Sequence, residues 1–419
     1  MTSTTSADVR DPAHGAGPGP TPGELVARAA AIARELVAQQ AQTEQRTFYS
    51  QQTHDAFTEA GLYRILVPRR FGGLEMDVDT FFRVAAELAR GCPSTGWMYC
   101  LAAAHAVPVA TLFGERAQRE IFATGEFFCP GTVVPSGTAE RAPDGGWILS
   151  GTWAYCSGSP YATHFLGHTL VVREPGQDPE PMMFLAPRDR WTRQNDWGTS
   201  LGLRGSGSHS ITMDRAHIPE HLTLPTHLGM VTVTEGTEGL RLHGNPMYGS
   251  GQLSFMVFES AAVAVGMARG ALDAYDELMV TRTTTFPPIM SRVQSPDHQF
   301  WYGQAAGLIA TAESALTGAV RHWTELGVRG PAAFTKEAEW RIATISREII
   351  AMCWRAVESY LFPTAGSSAI RQGERMERVW RDMSMMRTHA GISNLLAAAA
   401  NREYASARFG VDQHELDTL

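Results

Sequence analysis

Arg381-Asp382-Met383-Ser384-Met385-Met386-Arg387-Thr388-His389-Ala390-Gly391 lies near the C-terminus, shortly after the turn-like Pro363-Thr364-Ala365-Gly366-Ser367-Ser368. It opens on an arginine–aspartate pair and ends on a histidine followed by a small residue and a glycine. Such a stretch poses a chemical choice. Either a carboxylate removes a proton from carbon, or an imidazole is set beside something redox-active.

The context is helical. From about Gly251 apolar residues recur at helical spacing through LSFMVFESAAVAVGMARGALDAYDELMVTR, then, after the loop TTTFPPIMSRVQSPD, through HQFWYGQAAGLIATAESALTGAVRHWTEL. Gly330-Pro331 starts a third long helix, and a fourth runs from around Arg378 past Ala400. Four such helices on short loops imply an up-down bundle, assigned to residues 226–419. Residues 125–225 differ: short apolar runs alternate with Gly, Pro and Asp, including the hairpin signal Asp144-Gly145, which implies a small antiparallel β-barrel. Residues 21–124 read as a helical domain: Thr21-Pro22 opens the first helix, Asp79-Thr80 another, and Pro93-Ser94-Thr95 one that continues through GWMYCLAAAHAVPVATLF. Residues 1–20, rich in Ser, Thr, Gly, Pro and Ala, read as a disordered tail. The fold class is thus mainly α with a central β domain.

The formal charge of −8 without a basic run argues against nucleic acid or an anionic membrane as partner. No run of about 18 consecutive apolar residues predicts a membrane span, and no secretory signal is visible. The five cysteines, Cys92, Cys100, Cys129, Cys156 and Cys353, have no metal or disulfide spacing and are expected to be reduced in a cytoplasmic compartment. The 14 histidines lack metal-ligand spacing, so no metal site is expected. Gly205-Ser206-Gly207-Ser208 precedes a strand and is not a dinucleotide fingerprint, and no P-loop, HExxH or GxSxG is present.

Several short motifs share one order. Val67-Pro68-Arg69-Arg70-Phe71-Gly72-Gly73, Gly151-Thr152-Trp153-Ala154-Tyr155-Cys156-Ser157, Leu201-Gly202-Leu203-Arg204-Gly205-Ser206 with Ile218-Pro219, and Arg381-Asp382 together resemble the acyl-CoA dehydrogenase superfamily. In its dehydrogenases the Arg-Asp pair leads into a Tyr-Glu-Gly whose glutamate is the base; here that position holds His389-Ala390-Gly391. The alternative is a dehydrogenase with a displaced base: the minority position falls on Met256, and Glu259 lies about one turn away. A binding or scaffold relic is a third, non-enzymatic reading. Ser94-Thr95-Gly96-Trp97, His105, Cys156-Ser157-Gly158-Ser159, Trp197 and His389 instead resemble the oxygenase components of two-component flavin-dependent monooxygenases.

That resemblance implies reduced flavin (FADH2 or FMNH2) and O2, acting through a C4a-(hydro)peroxyflavin on an aromatic or nitrogen-containing small molecule. It implies a separate NAD(P)H-dependent flavin reductase and a homotetramer or dimer. It assigns catalytic roles to His389, His105 and Ser157, and cofactor contacts to Trp97, Thr132, Ser157, Trp197, Arg282 and Gly366. The chemistry suits them: an imidazole titrates near neutrality, a hydroxyl can meet flavin N5, an indole can stack, and a guanidinium can reach phosphate. The bland alternatives are a satisfied core histidine for His105, plain core for Trp197 and a solvated helix end for Arg282.

Overall fold

The computed structural model describes residues 19–411 other than 144, 173–175, 177, 232 and 234. The expected tail, through residue 18, and Asp144 of the expected turn lie outside the described residues.

Helix α1 (Pro22–Arg46) starts where Thr21-Pro22 predicts, with a reciprocal capping box: Glu24 N–H donates to Thr21 Oγ1 at 3.3 Å and Thr21 N–H to Glu24 Oε2 at 2.7 Å. After α2 (Gln51–Glu59), α3 (Val78–Gly91) is capped by Asp77, not Asp79: Thr80 N–H donates to Asp77 Oδ1 at 2.7 Å. The single helix expected across 96–113 is two, α4 (Pro93–Ala103) and α5 (Ala106–Leu112). Pro108 explains the break, because its ring excludes an i−4 hydrogen bond to Ala104, and the interruption falls at His105. Helix α6 (Glu115–Ile121) ends this unit.

The β region holds β1 (Thr138–Arg141), β2 (Trp147–Trp153), β3 (His164–Val171), β4 (Glu180–Pro187), β5 (Thr192–Arg193), β6 (Ile211–Ile218) and β7 (Thr223–Leu224). They form two antiparallel sheets, β1-β2-β6-β5 and β3-β4-β7. The expected closed barrel is therefore open among the described residues. The outer strands β5 and β7 have two residues each, too few to carry a ladder around.

The segment before the bundle, read as irregular, includes the short α7 (Glu238–His243). Then come α8 (Gln252–Thr281), α9 (Pro296–Arg329) and α10 (Lys336–Arg355), which runs through a π-helical turn (Ala356–Leu361) into α11 (Phe362–Ala365). Helix α8 is long and apolar enough to cross a membrane, but 83% of its apolar window is buried, against α3, α4, α9, α10 and α12 (Arg375–Met386). Burial on nearly every side accounts for its composition. The last helix is not continuous: after α12 it is interrupted at 387–389, resumes as a π-helical stretch (Gly391–Ala399) and ends as α13 (Ala400–Phe409).

Candidate active site

The break after α12 sets the site. Arg387 lies over the Trp354 ring, 4.6 Å from its centroid, and the His389 N–H donates to Met386 O at 3.0 Å, closing a tight turn. The His389 ring projects edge-on to Trp97 of α4, centroids 5.2 Å apart at 75°. Trp97 Nε1 donates to Ser157 Oγ at 3.1 Å, just beyond β2. Ser157 Oγ lies 2.8 Å from Ser208 Oγ, Ser208 Oγ 2.7 Å from Ser206 Oγ, and Ser206 Oγ donates to Leu203 O at 2.8 Å. The same carbonyl accepts Trp197 Nε1 at 2.9 Å. Four of the expected residues, His389, Trp97, Ser157 and Trp197, thus converge from helix, strand end and loop.

The protonation of both histidines follows from their partners. Gly391 N–H donates to His389 Nδ1 at 3.2 Å, so the neutral ring carries its proton on Nε2. Solvent reaches this ring, yet the protein around it is dense enough that desolvation lowers its pKa. His105 is buried and its Nδ1 donates to Cys129 O at 2.7 Å, which leaves a lone pair on Nε2; burial lowers its pKa as well. A side chain at Gly131 would meet His105 Cε1 at 2.5 Å, so only glycine admits the ring here. Thr132 follows directly, and its buried Oγ1 has no hydrogen-bond partner.

Asp382 ties these pieces together. Its carboxylate accepts the Leu203 N–H at 2.6 Å and the Ser94 hydroxyl at 3.3 Å, and that hydroxyl accepts the Gly205 N–H at 3.3 Å. Burial outweighs these bonds and pushes its pKa up to about 7. Beside it Arg381 pairs with Glu44 at 2.8 Å and with Glu377. An open pocket of about 430 Å³ bordered by Glu44, Arg204, Arg378 and Arg381 lies here, and none of the expected site residues lines it.

Arg282 and Gly366 form a second cluster. Arg282 donates to the Ser368 hydroxyl, and its carbonyl accepts the Arg292 N–H at 3.0 Å. Arg292 Nη2 is 3.2 Å from where a Gly366 side chain would begin. Arg292 itself is 6% exposed, and its Nε and Nη1 have no partner. A buried guanidinium with unmade bonds is a strong anion seat, and the sequence reading passed over it because a lone arginine in a loop carries no pattern.

Tyr155 was missed as well. It is 65% exposed at φ +61°, and its ring meets Trp197 edge-on at 5.8 Å. A bulky residue held in that region stores ~1–3 kcal/mol, which points to a functional constraint. Its place two residues before Ser157 was the available signal. The residues fit a flavin on these grounds: an exposed aromatic face at Tyr155 and Trp197, an orphaned hydroxyl at Thr132, and unpaired N–H groups at Arg292 for phosphate.

Residues 23–125 match the sequence model of the acyl-CoA dehydrogenase N-terminal domain, and residues 259–394 that of the acyl-CoA dehydrogenase C-terminal domain. The chain is 29% identical over 377 residues to a pigment production hydroxylase of Rhodococcus sp. (strain ATCC 21145), covering 88% of this chain and 92% of that protein. It is 28% identical over 339 residues to HsaA, the oxygenase subunit of a flavin-dependent monooxygenase of Rhodococcus jostii (strain RHA1), covering 80% and 86%. The crystal structure of 3-HSA hydroxylase from Rhodococcus sp. RHA1 superposes with a TM-score of 0.83 at 25% identity, over 93% of this chain and 97% of that one. This chain belongs to the acyl-CoA dehydrogenase superfamily, in the group formed by the oxygenase components of flavin-dependent monooxygenases.

Proposed function

We propose that this chain is the oxygenase component of a two-component flavin-dependent monooxygenase that hydroxylates an aromatic or nitrogen-bearing small molecule. Reduced flavin, FADH2 or FMNH2, delivered by a separate NAD(P)H-dependent reductase, supplies the electrons that activate O2 for transfer of one oxygen atom. The observation that carries this reading is the His389–Trp97–Ser157 cluster: at the place where a dehydrogenase needs a carboxylate base, a neutral imidazole offers an Nε2–H.

The residues divide the work. His389 Nε2 donates to oxygen at the reacting centre. Ser157 would meet the flavin at N5, and Thr132 would offer it a further polar contact. Tyr155 and Trp197 would flank the ring. His105 Nε2, the free lone pair on a ring anchored at Cys129 O, takes or orients a substrate hydroxyl or amine proton. Burial of Trp97 and Ser157 keeps water from this wall. Glu259, the alternative base, is 5% exposed and held protonated well above the usual carboxylate range by burial alone, which equips it poorly to accept a proton.

Arg282, Arg292 and Gly366 are assigned to the flavin phosphates of a neighbouring subunit in a homotetramer or dimer. Phe286, 81% exposed beside this cluster, is the apolar surface such an assembly would cover. Five free, buried cysteines support a cytoplasmic location.

The test combines the chain with NADH, an unrelated flavin reductase, FAD or FMN, and a panel of phenols, indoles and aromatic amines under ¹⁸O2. One ¹⁸O atom per product molecule is expected. Reoxidation of flavin at its free rate with no product across the panel overturns the reading. Bleaching of bound oxidised FAD by an acyl-CoA without reductase would establish the dehydrogenase instead.

A further inference from the structure

The hydroxyl chain behind Ser157 has only one possible direction. Three O···O contacts, Ser157–Ser208 at 2.8 Å, Ser208–Ser206 at 2.7 Å and Ser206–Leu203 O at 2.8 Å, each need a proton between the oxygens. The three serines own three hydroxyl protons, and the carbonyl owns none. Ser206 must therefore donate to Leu203 O, Ser208 to Ser206, and Ser157 to Ser208. Trp97 Nε1 can only donate, so it uses one lone pair of Ser157 Oγ. Ser157 is left with one lone pair and no proton.

The far end is fixed. Leu203 is buried at φ +52°, unusual for a residue with a side chain, and its N–H is held by Asp382 at 2.6 Å. Its carbonyl also takes Trp197 Nε1 at 2.9 Å and shares a longer 3.1 Å contact with the Ser206 N–H; a carbonyl can only accept, so that end sets the direction.

We propose that Ser206 and Ser208 are positioning residues that hold the Ser157 hydroxyl as an acceptor and thereby make the site prefer reduced to oxidised flavin. This rests on the reading above that Ser157 meets flavin N5. Reduced flavin carries an N–H at N5, which an acceptor can bind; oxidised flavin presents a lone pair there, and the two acceptors repel with the bond unmade. A site of this polarity takes up the reduced ring from a reductase and lets go of the oxidised one.

Anaerobic titrations of the full chain with reduced and with oxidised FAD and FMN, together with the midpoint potential of the bound flavin, test this. The ratio of the oxidised to the reduced Kd should exceed ~10 in the wild type, the worth of about one buried hydrogen bond. Ser208→Ala frees the Ser157 proton to rotate toward N5. The ratio should then fall ~10-fold, with the bound potential dropping by ~30 mV for a two-electron couple. Ser206→Ala should act in the same direction, and Ser208→Thr, which keeps the hydroxyl, should restore the wild-type ratio.

Ser159→Ala is the structural control. Ser159 donates to Gly207 O at 2.9 Å in the same loop but outside the chain, so its loss should leave the ratio unchanged. If Ser208→Ala does not fold, Ser206→Ala and Ser208→Thr decide. Ratios unchanged in Ser208→Ala and Ser206→Ala while both flavin forms still bind overturn the proposal, as does an equal change in Ser159→Ala. Failure of the wild type to bind flavin in either redox state overturns the underlying reading instead.

Discussion

His389 carries its proton on Nε2 only while Nδ1 accepts the Gly391 N–H; a second proton would set two donors against each other. Its lowered pKa keeps it neutral to below the usual 6.5, and acid is what breaks the arrangement. Product formed per reduced flavin, measured over roughly pH 5 to 8, should therefore fall on the acid side below 6.5. His389→Ala should cost about 10²-fold in product yield and erase that acid limb; an unchanged yield removes the histidine from the chemistry. Tyr155 gives a different signature. Tyr155→Gly relieves the strain at φ +61°, so thermal stability should hold or rise within ~1 kcal/mol, while flavin affinity falls. A large loss of stability would make Tyr155 a packing residue.

Helix α12 meets the loop 196–208 through Asp382 and through a backbone contact that admits only glycine: a Gly202 side chain would lie 2.2 Å from Arg381 O. Gly202→Ala should destabilise the chain by ~1–3 kcal/mol and separate Leu203 from Asp382, read as a lowered Tm with weakened flavin binding. Asp382 also sets a pH dependence. Its folded pKa of about 7 lies above the ordinary 3.8 of an aspartate, so between these the native state binds the extra proton. Its contribution to stability is complete below 3.8 and is lost as pH rises through about 7. Several buried histidines act oppositely, His168 and His209 among them with pKa values lowered to about 4, so the wild-type curve alone does not isolate Asp382. The difference between wild type and Asp382→Asn does. The wild type should lose a few kcal/mol relative to the variant on going from about pH 4 to 7, and a flat difference in denaturant unfolding would refute the assignment. Arg381-Asp382 was legible as a pair at fixed spacing; that it splits its two charges, Arg381 to Glu44 and Glu377 and Asp382 to Leu203, was not.

Across the molecule the candidate residues gather in two clusters, one around His389 and one around Arg292. Arg292, buried with two unpartnered nitrogens, should weaken the flavin-free protein. Arg292→Met should therefore raise its stability by ~1–4 kcal/mol while abolishing the stabilisation that flavin adds to the wild type, ~2.7 kcal/mol at 100 times Kd. A variant less stable without flavin, yet still stabilised by it, would leave Arg292 a structural residue. Periodicity, breakers and caps determined most of the architecture from the chain alone, because those signals are local: Thr21-Pro22 opens α1, and apolar spacing marks α8 to α10. Motif order likewise singled out His389, Trp97, Ser157 and Trp197, which the fold brings together. Three-dimensional packing decided what local signals cannot carry. Pro108 splits a helix at His105, two-residue strands leave the barrel open, and the chain breaks before Gly391 so that an imidazole can face Trp97. It also set the direction of the serine chain and the burial of Arg292, since hydrogen-bond polarity and desolvation depend on partners distant in sequence, and no residue announces those partners in its own neighbourhood.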